Sequence, residues 1–521
     1  MHNIVVYFKN NIYHSPIFIF LLGCLSAFSF SSNSVFICIP IIFIALSCLF
    51  YLLYTNTNNL YYIFFIGSLF SFGQLFTGLY WIANAFEFIF TYGIYLGLIA
   101  VILLTLALSI FYGISCIIIV YIKNIWRLNL FGFALIFSIF LSLGEYLRGN
   151  LLTGFPWNIV GYVWEDSSIV LQSVSVVGIY GLGLFTFLAA TSLVLVFKNI
   201  NYAIYSLFPI LILLAYGAIR LYNIEDSNAK VVQVRVVQPN IAQNEKWNSN
   251  LKSRHLDKLI SLSINDNRTK VPDIIIWPES SLPYSSSILE KNLEMVNWLL
   301  EDQVLITGIT RTKFNQKDLS KIYNSALITD KYFQNPKYYD KVRLVPFGEY
   351  NPFKKLFNFE KFTDGTLDFS SGEKTNSFKL DNINYKIAVL ICYEIIFPSH
   401  AINGFRPDFI VNLTNDAWYG NTMGPLQHLA AARVRAIEEG LPVIRAANTG
   451  ISAVIDQYGK YIERLELGKE GVIDTNISLS NLKTIFSKYG NTIYLISLIF
   501  MLMLVKFPFI NKNSNIGVSN E

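Results

Sequence analysis

The stretch from Tyr385 to Pro398 reads YKIAVLICYEIIFP. An apolar, β-branched run of this length predicts a buried central strand, and it ends abruptly at Cys392, followed by Tyr393, Glu394 and Pro398. A cysteine on the turn out of such a strand is held with its sulfur beyond the sheet edge, as in a nucleophile elbow. Taken alone, the stretch leaves a second reading open, because a lone cysteine among hydrophobic residues often serves only as packing.

Composition sets the class of the protein. Of 521 residues only 14% are charged and 53% are hydrophobic, and the mean hydropathy is +0.44. A water-soluble chain of this size needs more charge to cover its surface, so part of it must face lipid. Cys24, Cys38, Cys48 and Cys116 lie in apolar runs, which leaves Cys392 as the one cysteine in polar sequence. No Cys-x-x-Cys or Cys/His spacing occurs, so neither a disulfide framework nor a metal site is expected, and no cofactor is called for. The net charge of +5 is mild and is not gathered into a basic cluster interleaved with aromatics, which argues against nucleic-acid binding.

From Pro16 to Arg220 one apolar run follows another, most of them near the length of about 20 residues that a bilayer demands. Spans are predicted at Pro16–Ser31, Val35–Tyr54, Leu60–Ile82, Phe90–Ile122, Phe131–Leu147, Ile169–Phe197 and Tyr202–Leu221, and an eighth, rather short, at Thr492–Val505. The fourth is long enough to tilt or to protrude. The first lacks a small-residue cleavage site and is expected to be a retained helix. Lys9, Lys123, Arg127, Lys198, Lys506 and Lys512 fall on one side of alternating spans, opposite Glu87, Glu165 and Asp166, with Arg148 the exception. The excess of basic residues predicts both termini in the cytoplasm and the block between the seventh and eighth spans outside it. The expected domains are therefore 1–221 and 490–521 in the membrane and 222–489 outside.

That outer block alternates strand and helix signals. Lys230–Asn240, Asp273–Ser280, Val304–Thr310, Tyr323–Thr329, the stretch at Tyr385 and Asp408–Asp416 are strand candidates. Leu251–Asn265, Ile288–Glu301 and His428–Glu439 are helix candidates. The expected fold is an α/β domain with sheets covered by helices. Three strand ends carry ionisable groups in apolar settings: Glu279 after DIIIWP, Lys341 in KYYDKVRLVPFGEY, and Cys392 at the end of its strand. Singly, each has a structural explanation as a cap, an ion-pair partner of Asp340 or core packing. Together they supply a base, a cation for an oxyanion and a thiolate, the parts of a covalent acyl-transfer site.

WPES at Glu279, YYDKVRLVPFGEY at Lys341 and ICYE at Cys392 resemble the Glu-Lys-Cys triad of the nitrilase superfamily. With QPNIAQNEKW, TNDAWYG, GPLQHLAAARVRAIEEGLPVIRAANTGIS and GEYLRGNLLTGFPW, the chain is similar over nearly its whole length to the apolipoprotein N-acyltransferase family. The one departure is Tyr419, where the family pattern carries Phe. The resemblance implies an extracytoplasmic αββα sandwich on a multi-span helical domain in a bacterial inner membrane, facing the periplasm. It implies a phospholipid acyl donor, a diacylated apolipoprotein acceptor and a triacylated product, formed through a cysteine thioester. Glu279 would then be general base and acid, Lys341 with the Tyr393 N–H the oxyanion donors, and Cys392 the nucleophile. Glu349, Glu394 and Trp247 would support them.

Other residues are read more plainly. Asn415, Asp416 and Trp418 are expected to shape the loop beside the elbow. His428 is read as a hydrogen-bonded structural residue, Arg433 and Arg435 as solvated or ion-paired, and Glu145 and Arg148 as a pair with each other. The Phe-rich segment from Phe353 to Phe362, with Lys354, Lys355 and Lys361, is expected to dip into the bilayer surface and gate lipid entry. The alternatives are a membrane-tethered nitrilase-like amidase, which shares the triad but passes its acyl group to water, and a non-enzymatic receptor or transporter. Paired charges within the spans, which would favour transport, are missing from the sequence.

Overall fold

The computed structural model describes residues 15–30, 35–56, 59–88, 90–224, 230–264, 271–315, 318–351, 368–373, 375–479 and 482–506. The Phe-rich segment and both Lys9 and Lys512 lie outside the described residues. The chain divides into two units, one made of Met1–Tyr80, Ile99–Asn223 and Tyr489–Glu521, the other of Trp81–Leu98 and Ile224–Lys488.

The first unit is helical: α1 (Pro16–Ala27), α2 (Val35–Thr55), α3 (Leu60–Leu79), α4 (Gly93–Trp126, from Ile99 onward), α5 (Leu130–Asn150), α6 (Val174–Ala190), α7 (Ile200–Tyr222) and, near the C-terminus, a last helix at Thr492–Val505. Among the described residues six helices are long and apolar enough to cross a membrane, and Pro16–Phe30 and Thr492–Val505 are shorter apolar helices. Eight full spans were expected; the first and last fall short because a 3-10 turn at Phe28–Phe30 and the ends of a 14-residue helix limit their length. Side chains such as Leu103, Phe208 and Phe500 stand more than half exposed, as lipid-facing residues do. Small residues let α1 and α3 approach closely: a Cβ on Gly23 would lie 2.0 Å from the Phe70 carbonyl oxygen, and one on Gly73 2.3 Å from that of Phe20.

Glu145 and Arg148 do not bond to each other as the sequence suggested. Glu145 accepts from the Val160 N–H at 3.1 Å and the Tyr112 hydroxyl at 3.1 Å. Arg148 donates to the carbonyls of Trp157 at 2.7 Å and Phe155 at 3.2 Å. The irregular chain after α5 carries largely buried backbone groups, and these two side chains satisfy those of Phe155, Trp157 and Val160.

The second unit is built on two six-stranded sheets. One has the order β12-β1-β2-β3-β4-β5, from β1 (Lys230–Gln238), β2 (Ile274–Ile276), β3 (Val304–Asn315), β4 (Asp318–Thr329), β5 (Lys337–Asp340) and β12 (Gly471–Leu479). The other has the order β11-β10-β9-β8-β7-β6, from β6 (Ser377–Leu380), β7 (Tyr385–Ile391), β8 (Phe409–Thr414), β9 (Val443–Ala447), β10 (Ser452–Ile455) and β11 (Tyr461–Leu465). Period-2 alternation decides the layering. Val232, Val234, Val236, Ile274 and Ile276 meet Ile387, Val389, Ile391, Val411 and Leu413 between the sheets. Ile275 faces outward with Leu259 and Leu289, and Leu259 lies on α8 (Lys252–Ile264). Helix α9 (Gly424–Glu439), with Pro in its first turn, contacts β9 of the second sheet. The result is the αββα sandwich.

Two sequence expectations change here. The strand β7 is not central but second from the edge, between β6 and β8. The helix expected over Ile288–Glu301 is broken into a turn at Ser286–Leu289 and a 3-10 turn at Leu293–Val296. Tertiary packing overrides its propensity: Trp298 stacks on Trp277 at 5.5 Å and Val296 and Leu299 are buried beneath the sheet, with the chain bending at Asn292.

Candidate active site

The three ionisable residues picked out in the sequence come from both sheets. Glu279 follows β2, Lys341 follows β5 and Cys392 opens the turn Cys392–Ile396 after β7. Lys341 is fully buried, and its Nζ lies 3.0 Å from Glu349 Oε1 and 3.5 Å from Glu279 Oε1. Burial by itself would lower the lysine's affinity for its proton, but the Glu349 and Glu279 carboxylates overcome this and hold the ammonium charged well above neutrality. Cys392 is 7% exposed and sits at φ +50°, the strained left-handed region that an elbow requires. Burial first, and then the Glu279 charge, push its thiol up to about 12, against the opposing pull of Lys341 and a bond to Thr414. Its surroundings thus favour the protonated thiol over the thiolate.

Glu349 accepts from Lys341 and, through Oε2, from the Val345 N–H at 2.8 Å. Glu394 accepts from the N–H groups of Ile391 (2.8 Å), Val342 (2.8 Å) and Arg343 (3.1 Å), and from the Tyr339 hydroxyl (2.9 Å). It therefore fastens the turn of Cys392 to the segment just after Lys341. Burial raises its pKa, and the N–H donors oppose that rise. Tyr393 is buried edge-on to Phe397, and Trp247 is 38% exposed.

Asn324 and Lys246 were not singled out in the sequence. Asn324, on β4, donates through Nδ2 to Glu279 Oε1 at 2.7 Å and to Glu349 Oε1 at 2.8 Å, so its amide orientation follows from the two carboxylates. Its one signal was an asparagine within a strand, a residue strands disfavour, and in DLSKIYNSALIT it stands among other polar residues. Lys246 is buried and donates to the Glu279 main-chain carbonyl at 3.0 Å; burial lowers it to about 8 while Glu279 and Cys392 draw it back up. In sequence it is one more surface-type lysine in QNEKW.

Behind the elbow lies a buried polar network. His428 on α9 has Nδ1 2.9 Å from Asp416 Oδ1 and Nε2 3.1 Å from the Cys392 carbonyl oxygen. Arg445 on β9 donates to Asp416 Oδ2 at 2.6 Å. Asn415 joins Gln243 at 2.8 Å and Asn448 at 3.2 Å. Arg433 donates to the Gly459 carbonyl and Arg435 pairs with Glu438 at 2.5 Å, so neither is solvated. Ligand-type atoms of Cys392, Asp416 and His428 lie within 4.8 Å of one another. They do not suit a cation: His428 Nε2 is committed to a carbonyl, and the Arg445 guanidinium already compensates Asp416.

Residues 22–192 match the family model described as apolipoprotein N-acyltransferase N-terminal domain, and residues 233–485 match the carbon-nitrogen hydrolase model. An apolipoprotein N-acyltransferase of Rickettsia prowazekii is 35% identical over 94% of this chain and 98% of its own. One from Rhodopseudomonas palustris is 36% identical over 84% of each chain. A solved carbon-nitrogen hydrolase of Helicobacter pylori is 14% identical, covering 55% of this chain and 96% of its own with a TM-score of 0.36.

Proposed function

This chain belongs to the apolipoprotein N-acyltransferase family, and from that premise we propose that it moves an acyl chain from a phospholipid to the α-amino group of a diacylated apolipoprotein, by way of a thioester on Cys392. At the coarser level it is a multi-pass membrane acyltransferase that N-acylates lipoproteins. The observation that carries the finer reading is Lys341, held between Glu279 and Glu349 while Cys392 feels the charges of both Glu279 and Lys341.

Glu279 takes the Cys392 proton as Sγ attacks the ester carbonyl, because a thiol near 12 gives little free thiolate at neutral pH. Lys341 and the Tyr393 N–H stabilise the oxyanion that forms. The tetrahedral adduct collapses by breaking the ester C–O bond, and Glu279 returns the proton to the leaving lysophospholipid oxygen. The acceptor amine then attacks the thioester carbon and gives its proton to Glu279. The C–S bond breaks, and Cys392 recovers a proton. The two substrates use one site in turn, so the kinetics are ping-pong. Glu349 and Asn324 hold Glu279 and Lys341 in place. The enzyme works from the bacterial inner membrane with its catalytic unit in the periplasm.

Intact-mass spectrometry of the purified protein incubated with phospholipid tests this. A gain of one acyl chain, absent in Cys392→Ser, is expected, followed by transfer to a diacylated lipopeptide amine. No gain would overturn the thioester reading, and an acyl group released only as free fatty acid would favour a hydrolase.

A further inference from the structure

We infer that His428 is a positioning residue for acylation: by donating Nε2–H to the main-chain carbonyl of Cys392 it holds the nucleophile in its left-handed conformation, and so aims Sγ and the N–H that follows. This rests on the reading that Cys392 takes up the acyl chain. An L-residue at φ +50° carries backbone strain, and a conformation of that kind persists only where its surroundings fix it. The carbonyl of Cys392 is one of the few parts of the turn that can be gripped without obstructing the sulfur.

The grip is built from five elements: α9, the turn Asp416–Tyr419, β9, β8 and β7. His428 is fully buried on α9, with Nε2 3.1 Å from the Cys392 oxygen. On the far side of the ring, Nδ1 lies 2.9 Å from Asp416 Oδ1 and 3.1 Å from Arg445 Nη2. Arg445, on β9, also donates to Asn412 Oδ1 on β8 at 2.6 Å and to the Ile451 carbonyl at 3.2 Å. Asn412 Nδ2 in turn reaches the Leu390 carbonyl on β7 at 3.3 Å, two residues before the nucleophile. Thr414 donates to Asp416 Oδ1 at 3.0 Å and the Tyr419 ring lies 5.8 Å from the imidazole. These place a rigid support beneath Cys392 from the sheet that carries it and from the helix that covers it.

The proton positions follow from the chemistry of the partners. A carbonyl oxygen only accepts, so Nε2 carries hydrogen whenever this bond exists. Asp416 is held at about 2, chiefly by Arg445 and His428 against its burial, and stays ionised. Burial and Arg445 lower His428, and Asp416 opposes them. A neutral ring accepts from Arg445 at Nδ1, and a charged one donates there to Asp416. In both states the Nε2–H bond to Cys392 survives, so the grip does not depend on the charge of the ring. A histidine acting as acid or base would impose a pH limb of its own, and a gripping one would not.

The test is single-turnover acylation of the full-length protein by phospholipid, read as acyl-Cys392 by intact mass and normalised to Cys392 that a maleimide can titrate. In His428→Gln the side-chain amide N–H can still reach the Cys392 carbonyl. His428→Leu fills the space without a donor, and His428→Asn keeps a polar group near Asp416 but falls short of the carbonyl. Leu and Asn are expected to slow acylation about 100-fold with KM for the phospholipid unchanged, and Gln to recover to within about tenfold of wild type. The ratio of wild type to Leu should stay constant from about pH 6 to about pH 9. A Leu variant at wild-type rate, a Gln variant no better than Leu, or a ratio that changes with pH would overturn the role. Absence of acylation in the wild type would overturn the functional reading beneath it, an outcome distinct from normal wild-type acylation with an unimpaired Leu variant.

Discussion

Lys246 shows what a single buried charge does beside Glu279. Its ammonium is tied to the main chain of Glu279 and is pulled down from an ordinary 10.5 to about 8 by burial. A lysine whose folded pKa is depressed binds its proton less tightly in the folded state than in the unfolded one. Between about pH 8 and 10.5 the unfolded chain therefore holds more protons, and stability rises with pH through that window. Lys246→Met removes this contribution. The unfolding midpoint of the wild type is expected to gain on that of Lys246→Met from about pH 8 to 10.5 and to run parallel to it below; a flat difference across the window refutes the assignment. Glu394 acts differently. Three main-chain N–H groups and a tyrosine hydroxyl converge on it, so the acid beside the elbow serves as a fastener between two strand tips.

At the scale of elements, the stretch Trp81–Leu98 belongs with the catalytic unit although it lies in sequence among membrane helices. Trp81 donates through Nε1 to Gln427 at 3.2 Å and meets the Tyr419 ring at 4.4 Å. Asn84 donates to the Tyr419 carbonyl at 2.9 Å, and Phe88 sits edge-on to Trp418 at 5.6 Å. These contacts grip the turn Asp416–Tyr419 and the start of α9, the two elements that supply Asp416 and His428. Gly420 closes the turn at φ +65°, where a Cβ would come within 2.8 Å of Asn84 Nδ2. Gly420→Ala is therefore expected to cost about 2 kcal/mol, or roughly 3 °C in the unfolding midpoint, and to slow acylation through the displaced turn. An alanine variant with unchanged midpoint and rate would show that the contact does not matter.

On the scale of the whole molecule, the basic residues of the short loops predict a topology that fusions can check. The helix at Thr492–Val505 has 14 residues, about 21 Å, against a hydrocarbon core of about 30 Å. Alkaline phosphatase joined after Asn223 is expected to be active, and a green fluorescent protein joined after Glu521 to fluoresce, as a periplasmic catalytic unit and a cytoplasmic C-terminus require. An inactive phosphatase fusion would reverse the orientation, and a dark fluorescent fusion would show that Thr492–Val505 does not cross.

The sequence by itself determined the division into lipid-facing helices and a polar α/β block, because hydropathy and period-2 alternation are local properties that every residue in a span or strand repeats. It also singled out Glu279, Lys341 and Cys392, through the motifs WPES, YYDKVRLVPFGEY and ICYE that hold them. Only the tertiary structure decided what surrounds them. Asn324 touches Glu279 across 45 positions and His428 reaches Cys392 across 36, and nothing in either local sequence encodes those distances. The broken helix after Ser286 and the edgeward place of β7 were settled in the same way, by which surfaces found partners once the two sheets closed on each other. Local pattern fixes what an element is, whereas the burial of polar groups among distant elements fixes what it does.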